Sequence, residues 1–249
     1  MDHSDIKIIK LTDPLSVAEY AANILCSISD AAVTQNLVKH IALSGGSTPA
    51  LLFRLLSSKK YIQRICWNRI HLWWGDERCV PPDSPESNFG NANRLLLKNI
   101  KIPLQNIHRI KGELSPQEAA GQYQQEIHQH LPKKQNMSVF DWVILGMGSD
   151  GHTASIFNPA ALLDSDTLTA VTVHPESGQN RITLTPRVLQ SSKRITFLVT
   201  GKEKSGMVRK IHHQSGNDPT YVAGEIISRT GITEWVLDAE AGSQHLPGK

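Results

Sequence analysis

Four apolar, β-rich runs in this chain end at or beside a glycine: IALSGG (41–46), LWWGD (72–76), VILGMG (143–148) and FLVTG (197–201). Helical patterns alternate with them, among them TPALLFRLLSS, NFGNANRLLLKNI, SPQEAAGQYQQEIHQHL and KEKSGMVRKIHH, before a last strand-like TEWVLD. That order predicts an α/β fold, a mostly parallel sheet with helices on both faces. Ligands of such sheets gather outside the carboxyl ends of the strands, so the glycine corners are where a site is to be sought. Residues 158–180 mix turn formers with one short strand and read as a surface excursion.

A length of 249 residues suits one large domain with a substantial core, and a single domain over 1–249 is expected. No window approaches the roughly 18 consecutive apolar residues of a membrane helix, and the first twenty residues lack the apolar stretch of a secretory signal. Three cysteines, Cys26, Cys66 and Cys79, are odd in number and form no C-x-x-C, which argues against a disulfide framework or structural zinc and fits a cytoplasmic protein. The net charge of +3 comes from scattered Lys and Arg. It suits a small anionic ligand rather than nucleic acid or a membrane.

Gly146, Gly148 and Gly151 spell G-x-G-x-x-G, the dinucleotide fingerprint. A pyrophosphate site needs a helix of several turns after the glycines, but Pro159 would stop one early and Asp150 would set a carboxylate against the phosphates. The nucleophile elbow G-x-S-x-G fails at Ser149, preceded by Met147, and at Ser47, followed by Pro49. No P-loop and no H-E-x-x-H occur. His128 and His130, like His212 and His213, are spaced so that they share no helix face and read as solvated histidines. No cofactor and no metal are expected.

The stretch Ser44-Gly45-Gly46-Ser47-Thr48-Pro49 joins a strand to a helix start, with Thr48 as a hydroxyl cap and proline in the first turn. Glycines permit close approach, and the free N–H groups of the helix start make an anion cradle; the plainer alternative is a tight turn. Lys204 and Arg181 are within reach of strand ends and either complete such a cradle or are ordinary surface charges. Asp76, Glu77 and Arg78 form either a structural ion-pair corner or a device that orients a polar substrate. His152 closes the glycine turn. An unperturbed imidazole, of pKa about 6.5, can take a proton from water and return it, and Asp150 is placed to fix its tautomer.

The stretches ALSGGSTP, WWGDERCVPPDSPESN, VILGMGSDGHTASIF and VTGKEKSGMV resemble, in order and spacing, the glucosamine-6-phosphate deaminase/6-phosphogluconolactonase family, and within it the sugar-phosphate lactonases. The resemblance runs from about residue 15 to the terminal TEWVLDAEA. It implies a Rossmann-like fold and a cytoplasmic enzyme of the oxidative pentose phosphate pathway. The implied reaction is cofactor-free hydrolysis of 6-phospho-D-glucono-1,5-lactone to 6-phospho-D-gluconate. By this resemblance His152 is the general base with Asp150 beside it. Ser44, Gly45, Gly46, Arg181 and Lys204 grip the phosphate or neighbouring hydroxyls, and Asp76 and Arg78 line the sugar end.

The deaminases of the family read D-G-H-I-A-F-N-E-P, with a glutamate shortly after the histidine. Here the stretch is HTASIFNPA, with no acid. The lactonases place proline directly after the phenylalanine, whereas Asn158 intervenes here. A deaminase-like isomerase and a sugar-phosphate sensor without turnover are the alternatives, although no helix-turn-helix or basic extension supports a regulator. The expected partner is the small-molecule substrate, bound by a monomer, with a homodimer as the alternative.

Overall fold

The computed structural model of the protein describes residues 6–134, 137–158, 166–213 and 221–244. Its elements run β1 (Ile6–Lys10), α1 (Pro14–Thr34), β2 (Lys39–Leu43), α2 (Ser47–Leu56), β3 (Ile70–Trp74), β4 (Asp76–Arg78), α3 (Asn88–Leu95), β5 (Ile107–His108) and α4 (Pro116–His130). There follow β6 (Lys133–Lys134), β7 (Met137–Ser138), β8 (Trp142–Leu145), β9 (Thr169–Val173), β10 (Asn180–Leu184), α5 (Pro186–Gln190), β11 (Arg194–Val199), α6 (Ser205–His213), α7 (Val222–Glu225) and β12 (Ile232–Leu237).

Consecutive residues of a strand point to opposite faces. Every residue of β8, and all but the first of β2 and β11, is buried, so both faces of these strands are covered. They form the middle of a seven-stranded sheet of order β1-β12-β11-β8-β2-β3-β5 in which every pairing is parallel. Trp73, Trp74, Trp142 and Trp235 are among its fully buried side chains. Strand β1 and helix α1 add to the pattern read from sequence. Asp13 caps α1 by accepting the Ser16 N–H at 2.8 Å, and Val17, Ala18, Ala21, Ala22 and Leu25 form its buried stripe.

From β2 the chain builds outward through β3 to β5; from β8 it builds the opposite way through β11 to β12. The order therefore reverses between β2 and β8, and the loops leaving these two strands flank the crevice of a topological switch point.

The stretch 158–180 departs from expectation. Thr169–Val173 is no surface excursion but the outer strand of a second, antiparallel sheet of order β4-β10-β9. Gly75 joins the two sheets. Its N–H donates to Leu43 O and its carbonyl accepts from Leu184 N, both at 2.8 Å, so the chain leaves β3 and enters β4 across one residue. The one short strand read in this stretch is there; what its composition could not show is the partner strand β10 that pairs with it. Pro159 lies outside the described residues. The turn before it forms no helix: Gly148 N–H donates to His152 O at 2.8 Å, and Thr153 bridges to Ile156. Among the described residues, no helix is long and apolar enough to cross a membrane.

Candidate active site

Eight of the nine residues expected at the site line one cleft of about 310 Å³ at the switch point: Ser44, Gly45, Gly46, Asp76, Arg78, His152, Arg181 and Lys204. The ninth, Asp150, stands behind His152 and accepts from its ring at Nδ1, 2.6 Å away.

The β2 corner differs in detail from the expected cap. Gly46, at φ 105°, is the residue before α2, and no side chain caps the helix. The Thr48 hydroxyl bonds instead to the Thr200 hydroxyl at 2.8 Å, joining α2 to the end of β11. A helix start holds N–H groups without intrahelical acceptors, and here no side chain of the cap competes for them, which favours an anion in the cleft. Ser44 donates its hydroxyl hydrogen to Ile144 O at 2.8 Å, tying the ends of β2 and β8. Gly45 is required by close packing, because a Cβ there would meet Asn88 Oδ1 at 1.9 Å.

The corner after β3 is structural at Glu77 and borders the cleft at Asp76 and Arg78. Glu77, 2% exposed, accepts the N–H groups of Arg78, Asn88 and Phe89 and the Ser87 hydroxyl at 2.7–3.0 Å, which pins the start of α3. Burial raises its pKa even against these four hydrogen bonds. Asp76, also buried, accepts from Ser155 Oγ at 2.6 Å and from Asn88 Nδ2 at 3.3 Å while its side chain borders the cleft.

Arg78 and Arg181 are directly opposite partners in the antiparallel pairing of β4 with β10. Like charges so placed destabilise a sheet, and here both hydrogen-bond to neutral acceptors, Arg78 to Glu86 O and Arg181 Nε to Gln179 Oε1. Burial first, and then the Arg78 charge, lowers the Arg181 pKa from its ordinary value. Lys204 joins them from the turn after Gly201. Three cations thus face the cleft, with Asp76 and Glu203 as acidic side chains on the same lining.

His152 reaches the cleft only because its turn is built from glycines. A Cβ on Gly148 would lie 2.3–2.4 Å from Asp150 Oδ1 and the His152 ring, and Gly151 adopts φ 88°. Partial burial raises the Asp150 carboxyl, but the His152 charge and hydrogen bonds outweigh it, leaving the pKa below the ordinary value. A carboxylate so held accepts from the ring in the tautomer that carries its proton on Nδ1, the tautomer in which Nε2 bears the lone pair.

Three contributors escaped the sequence reading as site residues. Asn88 and Thr200 line the cleft, and Ser155 anchors Asp76 from beneath. All three lie within stretches that carry the family resemblance, Asn88 at the end of WWGDERCVPPDSPESN, Thr200 in VTGKEKSGMV and Ser155 in VILGMGSDGHTASIF, but no local pattern singled them out. His128 and His130 are exposed as their spacing predicts, although the His130 ring also rests 4.8 Å from that of His108.

A parallel α/β sheet with a histidine-bearing polar cleft at its switch point defines a class, that of α/β proteins whose ligand cleft lies at the carboxyl ends of their strands. Residues 12–234 match the family described as Glucosamine-6-phosphate isomerases/6-phosphogluconolactonase, and the chain belongs to that family. It is 46% identical over 202 residues to the 6-phosphogluconolactonase of Haemophilus influenzae, covering 81% of this chain and 85% of that one. The crystal structure of devB protein superposes with a TM-score of 0.90 at 43% identity, over 96% of this chain and 99% of that one. A monomeric glucosamine-6-phosphate deaminase gives a TM-score of 0.81 over 96% of this chain and 100% of that one, but at 20% identity this shows a shared fold alone.

Proposed function

We propose that this chain is a 6-phosphogluconolactonase, hydrolysing 6-phospho-D-glucono-1,5-lactone to 6-phospho-D-gluconate in the cytoplasm as a step of the oxidative pentose phosphate pathway. The observation that carries the reading is the His152–Asp150 pair at 2.6 Å, set in the same cleft as Arg78, Arg181 and Lys204.

A lactone carbonyl is already electrophilic and its leaving oxygen stays tethered, so the protein needs only to hold the substrate and supply a base. The phosphate is gripped by Arg181 and Lys204 with the N–H groups at the start of α2. Arg78 stands opposite Arg181 in the strand register, which supports a share for it in that group as well as at the sugar end. Asp76 and the Thr48–Thr200 hydroxyl pair receive the sugar hydroxyls. Nε2 of His152 takes a proton from water as the water oxygen bonds to the carbonyl carbon. Asp150 supports the resulting imidazolium. Collapse of the tetrahedral intermediate breaks the bond to the ring oxygen, which receives the proton from Nε2, and the acid product ionises. No cofactor takes part in this sequence.

The deaminase reading requires an acid after the histidine, and Ile156, Phe157 and Asn158 supply none. The test compares the wild type with His152→Ala and Lys204→Ala on freshly generated lactone, in a pH-stat. His152→Ala is expected to lower mainly kcat and Lys204→Ala to raise mainly KM. Equal kcat losses with unchanged KM would overturn the division of roles. Ammonia released from glucosamine 6-phosphate would overturn the reaction, and substrate binding without turnover above spontaneous hydrolysis would favour a sensor.

A further inference from the structure

The imidazole of His152 is fixed at one point by Asp150, through Nδ1. One hydrogen bond does not fix the plane of a ring, because the terminal torsion of histidine is broad rather than staggered. Nε2, at the far side of the ring from Cβ, moves most when the ring swings, and Nε2 is the atom that must meet the attacking water.

Phe157 packs against the imidazole, its centroid 4.9 Å away and its plane tilted by 57°. A second imidazole, that of His174, makes a T-shaped contact with the same phenyl ring at 5.0 Å and 78°. His174 is held in the turn between β9 and β10. Its N–H donates to Gln179 O and its carbonyl accepts from Gly178 N, both at 2.9 Å, and its Nδ1 accepts the Ser177 N–H at 3.2 Å. Phe157 is half-buried, and among the described residues it is not one of the apolar side chains packed on the hydrophobic core. Its ring contacts therefore wedge the loop bearing His152 against the second sheet.

We infer that Phe157 is a positioning residue for His152: with Asp150 holding Nδ1 and the tilted phenyl ring of Phe157 packed against the imidazole, the direction of Nε2 is set before substrate arrives. The inference rests on the reading of His152 as the base. A hydrogen bond at one atom and a tilted aromatic contact at 4.9 Å together constrain the rotation that either alone leaves open.

The experiment compares Phe157→Leu and Phe157→Tyr with the wild type by kcat and KM on 6-phosphogluconolactone. Histidine-labelled protein supplies ring carbon–proton NMR spectra across pH, with the His152 signal assigned by its loss in His152→Ala. Misplacement of a reacting group by about 1 Å costs about 10²-fold in rate, so a partly freed ring in Phe157→Leu should lower kcat about tenfold with KM within about twofold. Phe157→Tyr, which keeps the aromatic face, should stay within about threefold of the wild type. The His152 ring-proton signal should shift in Phe157→Leu as the phenyl ring current is lost, and stay in place in Phe157→Tyr.

Wild-type kcat in Phe157→Leu, equal losses in the Leu and Tyr variants, or an unmoved His152 signal would each overturn the inference. A wild type without lactonase activity would overturn the proposed function instead, and the NMR signal would still report whether Phe157 sets the ring.

Discussion

Ser155 Oγ donates to Asp76 Oδ2 at 2.6 Å, joining the loop that carries His152 to the strand that carries Arg78 across 79 positions of sequence. Ser155 is fully buried, and its N–H and carbonyl are bonded to the Thr183 and Thr172 hydroxyls. The preceding Ala154 adopts φ 50°, a left-handed conformation uncommon for a residue with a Cβ, which the anchored neighbours impose. This cross-link sets the separation between base and anion site.

Ser155→Ala would leave the buried Asp76 carboxylate short of its closest donor. A loss of about 1–3 kcal/mol of stability is expected, measured by urea denaturation. A fall in kcat should accompany it, since Asp76 and the His152 loop would lose their common register. Unchanged stability and rate would show that the bond is incidental.

Gly148 and Gly146 should respond differently to alanine. A Cβ at Gly148 lands on Asp150 and the His152 ring, whereas nothing lies within 4 Å of one at Gly146. Gly148→Ala should therefore displace the base and reduce kcat by about 10²-fold or more, while Gly146→Ala should change unfolding free energy by no more than ~0.5 kcal/mol. Turnover of Gly148→Ala at the wild-type rate would contradict the geometry.

The facing pair Arg78 and Arg181 predicts a trade between stability and binding. Arg181→Ala relieves like-charge repulsion across the strands, so the melting temperature without ligand should hold or rise, while KM for the phosphorylated lactone climbs at least tenfold. Inorganic phosphate should raise the melting temperature of the wild type more than that of the variant. A lower melting temperature with unchanged KM would mean the arginine serves the fold.

Acid should weaken the sheet at a site remote from the cleft. His40 and His71 are register partners on β2 and β3. His40 Nδ1 accepts the Trp73 indole N–H at 3.1 Å, and His71 Nδ1 bonds to His108 Nε2 at 2.8 Å, whose Nδ1 meets Glu126 at 2.6 Å. Burial, and then the neighbouring His71, pushes His40 down to about 3 despite Asp141; burial and then His108, with His130 beyond, push His71 down to about 4. In the unfolded chain these rings take up protons near pH ~6.5, but in the folded chain they do not, so the stability they provide is complete above ~6.5 and declines as pH falls toward 4. Melting temperature against pH should show this slope, and His40→Asn, which keeps an acceptor for Trp73 without a basic ring, should flatten it. A slope that His40→Asn leaves unchanged would assign the acid sensitivity to other groups.

Much of the architecture was legible because burial on both faces leaves a plain mark: the runs IALS, LWW, VIL and FLV had to be interior strands, and their glycines had to be corners. The site was legible in the same places, since Ser44, Asp76, His152 and Lys204 all follow such strands closely. The partner of the short strand read in 158–180 was not, because the pairing of Thr169–Val173 with β10 is written in no local pattern. Nor were the role of Glu77, which depends on helix α3 starting where its carboxylate can accept, or the approach of Asn88 to Gly45.

By itself, then, the order of apolar and glycine residues determined a parallel sheet and the corners that carry chemistry, because periodicity and backbone freedom are local properties. Only the tertiary structure decided that Arg78 faces Arg181, that Ser155 holds Asp76 and that Phe157 rests on His152. The first two relations join residues far apart in the chain and the third depends on how one loop folds back, and it is packing of the whole sheet that brings such atoms within a few ångströms.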